Sequence, residues 1–119
     1  MILGWFDQGR FEQEWAADQD VLARLAEQGD KADQLRDLDV SFTGNESNLR
    51  DAEQEAAKYG FRIIQMAEVQ GGEWRLDVSR QQSANAETIR QLTINALQIE
   101  AACSVSYDGW GCITQNDRA

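Results

Sequence analysis

A chain of 119 residues with 42% hydrophobic and 27% charged side chains has the size and composition of one folded core, which argues against wholesale disorder and against any need for metal or disulfide staples. Its 21 acidic and 11 basic residues leave a formal charge of -10, a field that repels phosphate backbones and attracts basic surfaces. The absence of histidine removes the usual zinc patterns and the familiar catalytic triads.

The charge is uneven. Residues 1–55 carry 14 acids and 5 bases, whereas residues 56–119 carry 7 and 6, so the acidity belongs to the N-terminal half. Cys103 and Cys112 flank an expected strand and read as reduced thiols of a cytoplasmic protein. The opening MILGWFDQGR has too short an apolar run for a signal-peptide core, and no segment approaches the roughly 20 apolar residues of a membrane helix.

In chain order, residues 10–28 set Phe11, Trp15, Leu22 and Leu25 at helical spacing, with Asp18 completing the stripe, so they predict an amphipathic helix stopped by Gly29. Its apolar stripe is expected to pack on the domain itself, the alternative being a docking or dimerisation surface. After a polar connector, Leu38, Val40 and Phe42 alternate with Asp37, Asp39 and Ser41, the two-residue period of a half-buried strand. Thr43 with Glu46, or Asn45, can cap a helix that runs to Tyr59 and ends at Gly60.

Residues 61–69 and 73–79 predict two strands joined by a Gly71-Gly72 hairpin, the second with Trp74, Leu76 and Val78 on one face. A helix opening after Ser83 or Asn85 carries Ile89, Leu92, Ile94, Ala96, Leu97 and Ile99, and is expected to end at Ala101 or Ala102. Residues 103–107 alternate again as a last strand leading into Tyr107-Asp108-Gly109-Trp110-Gly111.

The resulting order, a helix followed by β-α-β-β-α-β, predicts a single α+β domain over residues 1–119. It comprises an N-terminal helix at 10–28 and a ferredoxin-like split β-α-β sandwich at 35–112, with a four-stranded antiparallel sheet and its two helices on one face. The alternation then turns Asp37, Asp39, Ser41, Arg75, Asp77, Ser79, Ser104, Ser106 and Asp108 to the open face, with Trp110 either there or packed beneath the N-terminal helix.

That face is expected to be polar and mostly acidic, where RNA-binding sandwiches of this topology display aromatics among basic residues, so direct RNA binding is disfavoured. Four aspartates could suit a hard cation, but no metal motif is present. No cofactor, metal or catalytic residue is expected. The candidate partner-binding residues are Asp37, Asp39, Asp77, Asp108 and Trp110, and the expected partner is a basic protein. The alternative is a small-ligand-binding or dimerising module that uses the open sheet face. Gly109 and Gly111 read as a bend or bulge at a strand end.

Three stretches carry a family resemblance: YDGWG at residues 107–111, AAKYGF at 56–61 and SANA at 83–86. On these the chain resembles the regulator of ribonuclease activity B family over roughly residues 10–112. The resemblance implies a ferredoxin-like α/β sandwich preceded by a helix. It also implies a non-enzymatic cytoplasmic regulator that binds the C-terminal scaffold region of ribonuclease E and changes the composition of the RNA-degrading complex.

Overall fold

The computed structural model describes residues 5–115. The apolar start at residues 1–3 lies outside them. The described chain runs α1 (Gln8–Glu27), β1 (Arg36–Gly44), α2 (Glu46–Lys58), β2 (Arg62–Gln70), β3 (Glu73–Gln82), α3 (Ala86–Cys103) and β4 (Ser106–Gly111). This α+β architecture has one four-stranded sheet in the order β2-β3-β1-β4, and every neighbouring pair is antiparallel.

Local chemistry sets the boundaries. Asp7 begins α1 by accepting the Arg10 N–H at 2.9 Å, and Asn45 begins α2 by accepting the Asn48 N–H at 2.8 Å. Each satisfies one of the N–H groups that the first turn of a helix leaves free. At α3, Asn85 and Thr88 form a reciprocal capping box. Helix α3 runs on to Cys103, past the expected end at Ala101 or Ala102, and Ser104 stops it in the left-handed region at φ 57°. Cys103 and Ser104 therefore belong to the helix and its cap, and β4 starts at Ser106.

The core lies between the sheet and the helices. Leu38, Val40 and Phe42 of β1 and Leu76 and Val78 of β3 are completely buried under Leu49, Ala52 and Ala56 of α2 and Ile89, Leu92, Ala96 and Ile99 of α3. Burial of each large aliphatic or aromatic side chain is worth about 1.5–3 kcal/mol, so these strands hold the helix layer in place. Helix α1 packs against α3 and brings Phe11 into the core, with Trp15 and Leu22 partly covered; Leu25 is buried as well. Phe11 stacks on Trp15 with ring centroids 6.3 Å apart. Arg10 ties α1 to β4 by donating to the Tyr107 carbonyl at 3.1 Å. The apolar stripe thus serves the chain's own packing.

Strand β2 departs from simple alternation. It is an edge strand, and its register against β3 shifts between Ile63 and Gln65 and again between Glu68 and Gln70. Ile64 and Val69 are the extra residues, and both are exposed. Bulges of this kind twist an edge and discourage the addition of foreign strands.

A third bulge lies within YDGWG. Phe42 pairs with Tyr107 and Val40 with Trp110, so Ser41 alone faces both Asp108 and Gly109. Gly109 takes φ +97°, and an added Cβ would meet nothing within 4 Å. Backbone strain, not space, therefore reserves the position for glycine. Gly109→Ala should cost about 1–3 kcal/mol in urea unfolding, whereas Gly111→Ala, at a position without positive φ, should cost little.

Candidate functional site

Period-two alternation on β1 and β3 turns Asp37, Asp39, Ser41, Arg75 and Asp77 away from the helices, while the buried residues between them turn inward. Asp77 accepts hydrogen bonds from Ser41 Oγ at 2.6 Å, Arg75 Nε at 2.9 Å and Gln65 Nε2 at 3.2 Å. Partial burial works against its charge, but these three donors outweigh burial and hold its pKa below the ordinary carboxylate value. Arg75 also donates to Ser41 at 2.8 Å, so strands β1, β2 and β3 share one polar network.

Asp37 pairs with Arg62 at 3.3 Å. Asp39 and Asp108 are exposed and form no ion pair among the described residues, although Arg75 feels Asp108 at longer range. A shallow groove of about 910 Å³ runs over this face, lined in part by Asp37, Asp39, Arg62, Arg75 and Asp77 and reaching Cys112. Among the described residues, no three carboxylates or thiols gather as a cation site would need.

Acids still outnumber bases on this face, Asp37, Asp39, Asp77 and Asp108 against Arg62 and Arg75, but Asp37 and Asp77 are paired with the two guanidinium groups. Arg62 arrives from β2, whose bulges hide its facing from any count along the sequence, and Arg75 is locked to Asp77. Asp39 and Asp108, on the β1 and β4 side, keep unneutralised charge.

Ser79, expected on this face, is fully buried there between Asp39 and Arg62 in the pairing register, and its Oγ has no hydrogen-bond partner among the described residues. Ser104 caps α3 and does not lie on the sheet.

Trp110 does not join the open face. The extra residue at the bulge reverses the alternation, so both Tyr107 and Trp110 turn toward the helices. There the indole Nε1–H donates to Asp18 Oδ1 at 2.8 Å, and Thr93 Oγ1 donates to Asp18 Oδ2 at 2.5 Å. Asp18 is 3% exposed. Burial raises its pKa, and the two hydrogen bonds only partly offset this.

Tyr107, beside the same cluster, is also pushed upward, first by burial and then by Asp18 and Glu14. Its hydroxyl makes no hydrogen bond of normal geometry with a described residue, though Thr93 lies near enough to ease its ionisation. This cluster joins α1, α3 and β4. Asp18 could have been suspected from the sequence as the lone acid on an apolar helical stripe, but its partners lie 75 and 92 residues away.

Both cysteines are free. Burial pushes the Cys103 thiol up to about 11, with Glu55 and Asp51 adding to the effect, and Cys112 is raised as well. These shifts run opposite to those that activate a nucleophilic thiolate.

The family pattern described as Regulator of ribonuclease activity B matches residues 15–112. The chain belongs to this family. The matched span of the regulator of ribonuclease activity B pattern starts within α1 and ends just after β4, so it contains Asp18, Thr93, the YDGWG strand and all four open-face aspartates. A search of curated proteins gave no match. The family is one of regulators, and its description implies a ribonuclease as the protein partner. No helix among the described residues is long and apolar enough to cross a membrane.

Proposed function

We propose that the chain is a non-enzymatic cytoplasmic regulator that binds the basic scaffold region of ribonuclease E and thereby modulates RNA degradation. Family membership over residues 15–112 carries this reading. The formal charge of -10 supports it, because an acidic folded surface can occupy an arginine-rich segment that otherwise holds RNA. The strand order β2-β3-β1-β4 supports reading the core as a ferredoxin-like split β-α-β sandwich with α1 added.

Within the open face, Asp39 and Asp108 are the proposed primary contacts, since their charge is not spent on a neighbouring guanidinium. Asp37 and Asp77 are secondary contacts, available to a partner only in exchange for Arg62 or Arg75. Trp110 supports the surface from beneath by holding β4 to α1. The open form of the groove suits an extended protein segment better than a small enclosed ligand.

Binding to a ribonuclease E scaffold peptide, measured by calorimetry, should weaken steeply as salt shortens the screening length from about 10 Å at 0.1 M to about 3 Å at 1 M. Asp39→Asn combined with Asp108→Asn should slow association several-fold and flatten that salt dependence. Absence of binding at low salt would sink the assignment, and tight salt-independent binding would point instead to an apolar interface.

A further inference from the structure

A second cavity, of about 510 Å³, lies where the start of α1 meets α3, away from the open sheet face. It is lined by Trp5, Asp7, Arg10, Leu97, Glu100 and Ala101, among others. Its volume falls within the range of roughly 300–1,000 Å³ typical of ligand sites. Trp5 stands at its border 59% exposed, although large aromatics usually gain by being covered.

The polar groups are unevenly satisfied. Arg10 is spent on its own neighbours, since it bonds Glu14, the Tyr107 carbonyl at 3.1 Å and Glu100 Oε1 at 3.4 Å. The other oxygen of that carboxylate, Glu100 Oε2, is buried and has no hydrogen-bond partner among the described residues. Burial raises the Glu100 pKa above the ordinary carboxylate value, and Arg10 and, less strongly, the Tyr107 N–H only partly offset this. Asp7 adds a second carboxylate to the lining, with Oδ1 engaged by the Arg10 N–H. At this end of α1, Asp7, Glu14 and Glu100 thus outnumber Arg10.

An exposed indole beside a half-buried carboxylate, which Arg10 meets through one oxygen at 3.4 Å, suits a flat cation. We propose that this cavity is a guanidinium-binding site, which takes an arginine side chain of a basic partner segment against the Trp5 indole and on the Glu100 carboxylate. Arginine fits better than lysine because its planar guanidinium can stack on the ring and donate in its own plane at once, whereas an ammonium is a compact, strongly hydrated charge. Arg80 over Phe61 and Arg90 over Phe11, at 4.4 and 5.2 Å from the ring centroids, are the same pairing within the fold. The proposal rests on the partner being basic and adds an anchor remote from Asp39 and Asp108.

The test is titration of the full ¹⁵N-labelled chain with Nα-acetyl-arginine methylamide at low salt, observed by NMR, with the lysine analogue in parallel. The expected result is a saturable shift of the Trp5 indole N–H and of amides around Leu97–Ala101. Glu100→Gln should weaken that binding, and the lysine analogue should bind about two- to fivefold more weakly. Trp5→Ala, at an exposed position, should remove the arginine preference without unfolding the chain.

Shifts confined to the open sheet face, equal binding of the two analogues, or no saturable shift would each overturn the proposal. If a scaffold peptide still binds and depends on Asp39 and Asp108 but not on Trp5, the guanidinium site falls and the proposed function stands. If the peptide does not bind while the arginine analogue does, the reverse holds.

Discussion

Arg36→Ala should destabilise the fold by about 3–5 kcal/mol, because it leaves a carboxylate buried without its counter-charge. Arg36 and Asp30 pair at 2.6 Å with both side chains only 2% exposed. The same guanidinium donates to the Gln34 carbonyl at 3.2 Å and to the Lys31 carbonyl at 2.6 Å, so it knits the connector between α1 and β1 into one piece. Asp30 in turn accepts the Gln115 N–H at 2.7 Å, which ties the segment after β4 to the same connector.

Urea unfolding provides the measurement. Removing both charges with Arg36→Met and Asp30→Leu should recover much of the loss, since a buried ion pair and an apolar pair of similar volume are often close in stability. A single-variant cost below about 1 kcal/mol would mean that the pair is hydrated and carries little.

Asp18→Ala should cost about 2–4 kcal/mol, because the Thr93 hydroxyl and the Trp110 indole N–H would both lose their acceptor in a buried setting. Asp18→Asn isolates the effect of charge. In the wild type, burial raises the Asp18 pKa above its ordinary value of 3.8, so the folded state holds the proton more tightly than the unfolded state does.

The sign follows directly. As pH rises from about 3.8 through the raised folded value, the wild type loses stability relative to Asp18→Asn, and above that window the difference is constant. Chemical denaturation of both proteins across this range checks it. A difference that grows in the opposite direction would mean that Asp18 is stabilised as a carboxylate.

Much of the framework was legible from pattern. Leu38, Val40 and Phe42, and then Leu76 and Val78, are inward residues at strict two-residue spacing on the central strands, where both neighbours enforce the register. The helix starts were legible only as pairs of alternatives, Thr43 with Glu46 or Asn45, and Ser83 or Asn85; the asparagines are the caps in both cases. Arg36 carried a signal that was missed, for it shares the inward phase of Leu38, Val40 and Phe42 and so had to be either buried or beyond the strand.

The site was less legible, and the reasons are local. Two bulges in β2 break the alternation that would have assigned Arg62 a face, and without Arg62 the open surface looks more acidic than it is. The end of α3 was misjudged because Ser104, not a glycine, takes the left-handed cap. Trp110 was ambiguous because an odd residue in β4 decides which way it turns, and only pairing with β1 reveals where that residue sits.

The interval from Tyr107 to Trp110 therefore behaves like a reading frame. Three residues is an odd count, and a strand that alternates strictly cannot send both rings inward; Gly109 supplies the frame correction. Deleting Gly109 removes the extra residue itself, so Tyr107, Asp108 and Trp110 should stand opposite Phe42, Ser41 and Val40 in a straight ladder with the indole still turned toward Asp18. The two rings can thus share a face at a spacing of two residues in a straight ladder or of three with a bulge, and the spacing of three depends on the positive φ of Gly109. Substitutions at Gly109 and Trp110 should combine non-additively, because the glycine matters chiefly through where it sends the tryptophan.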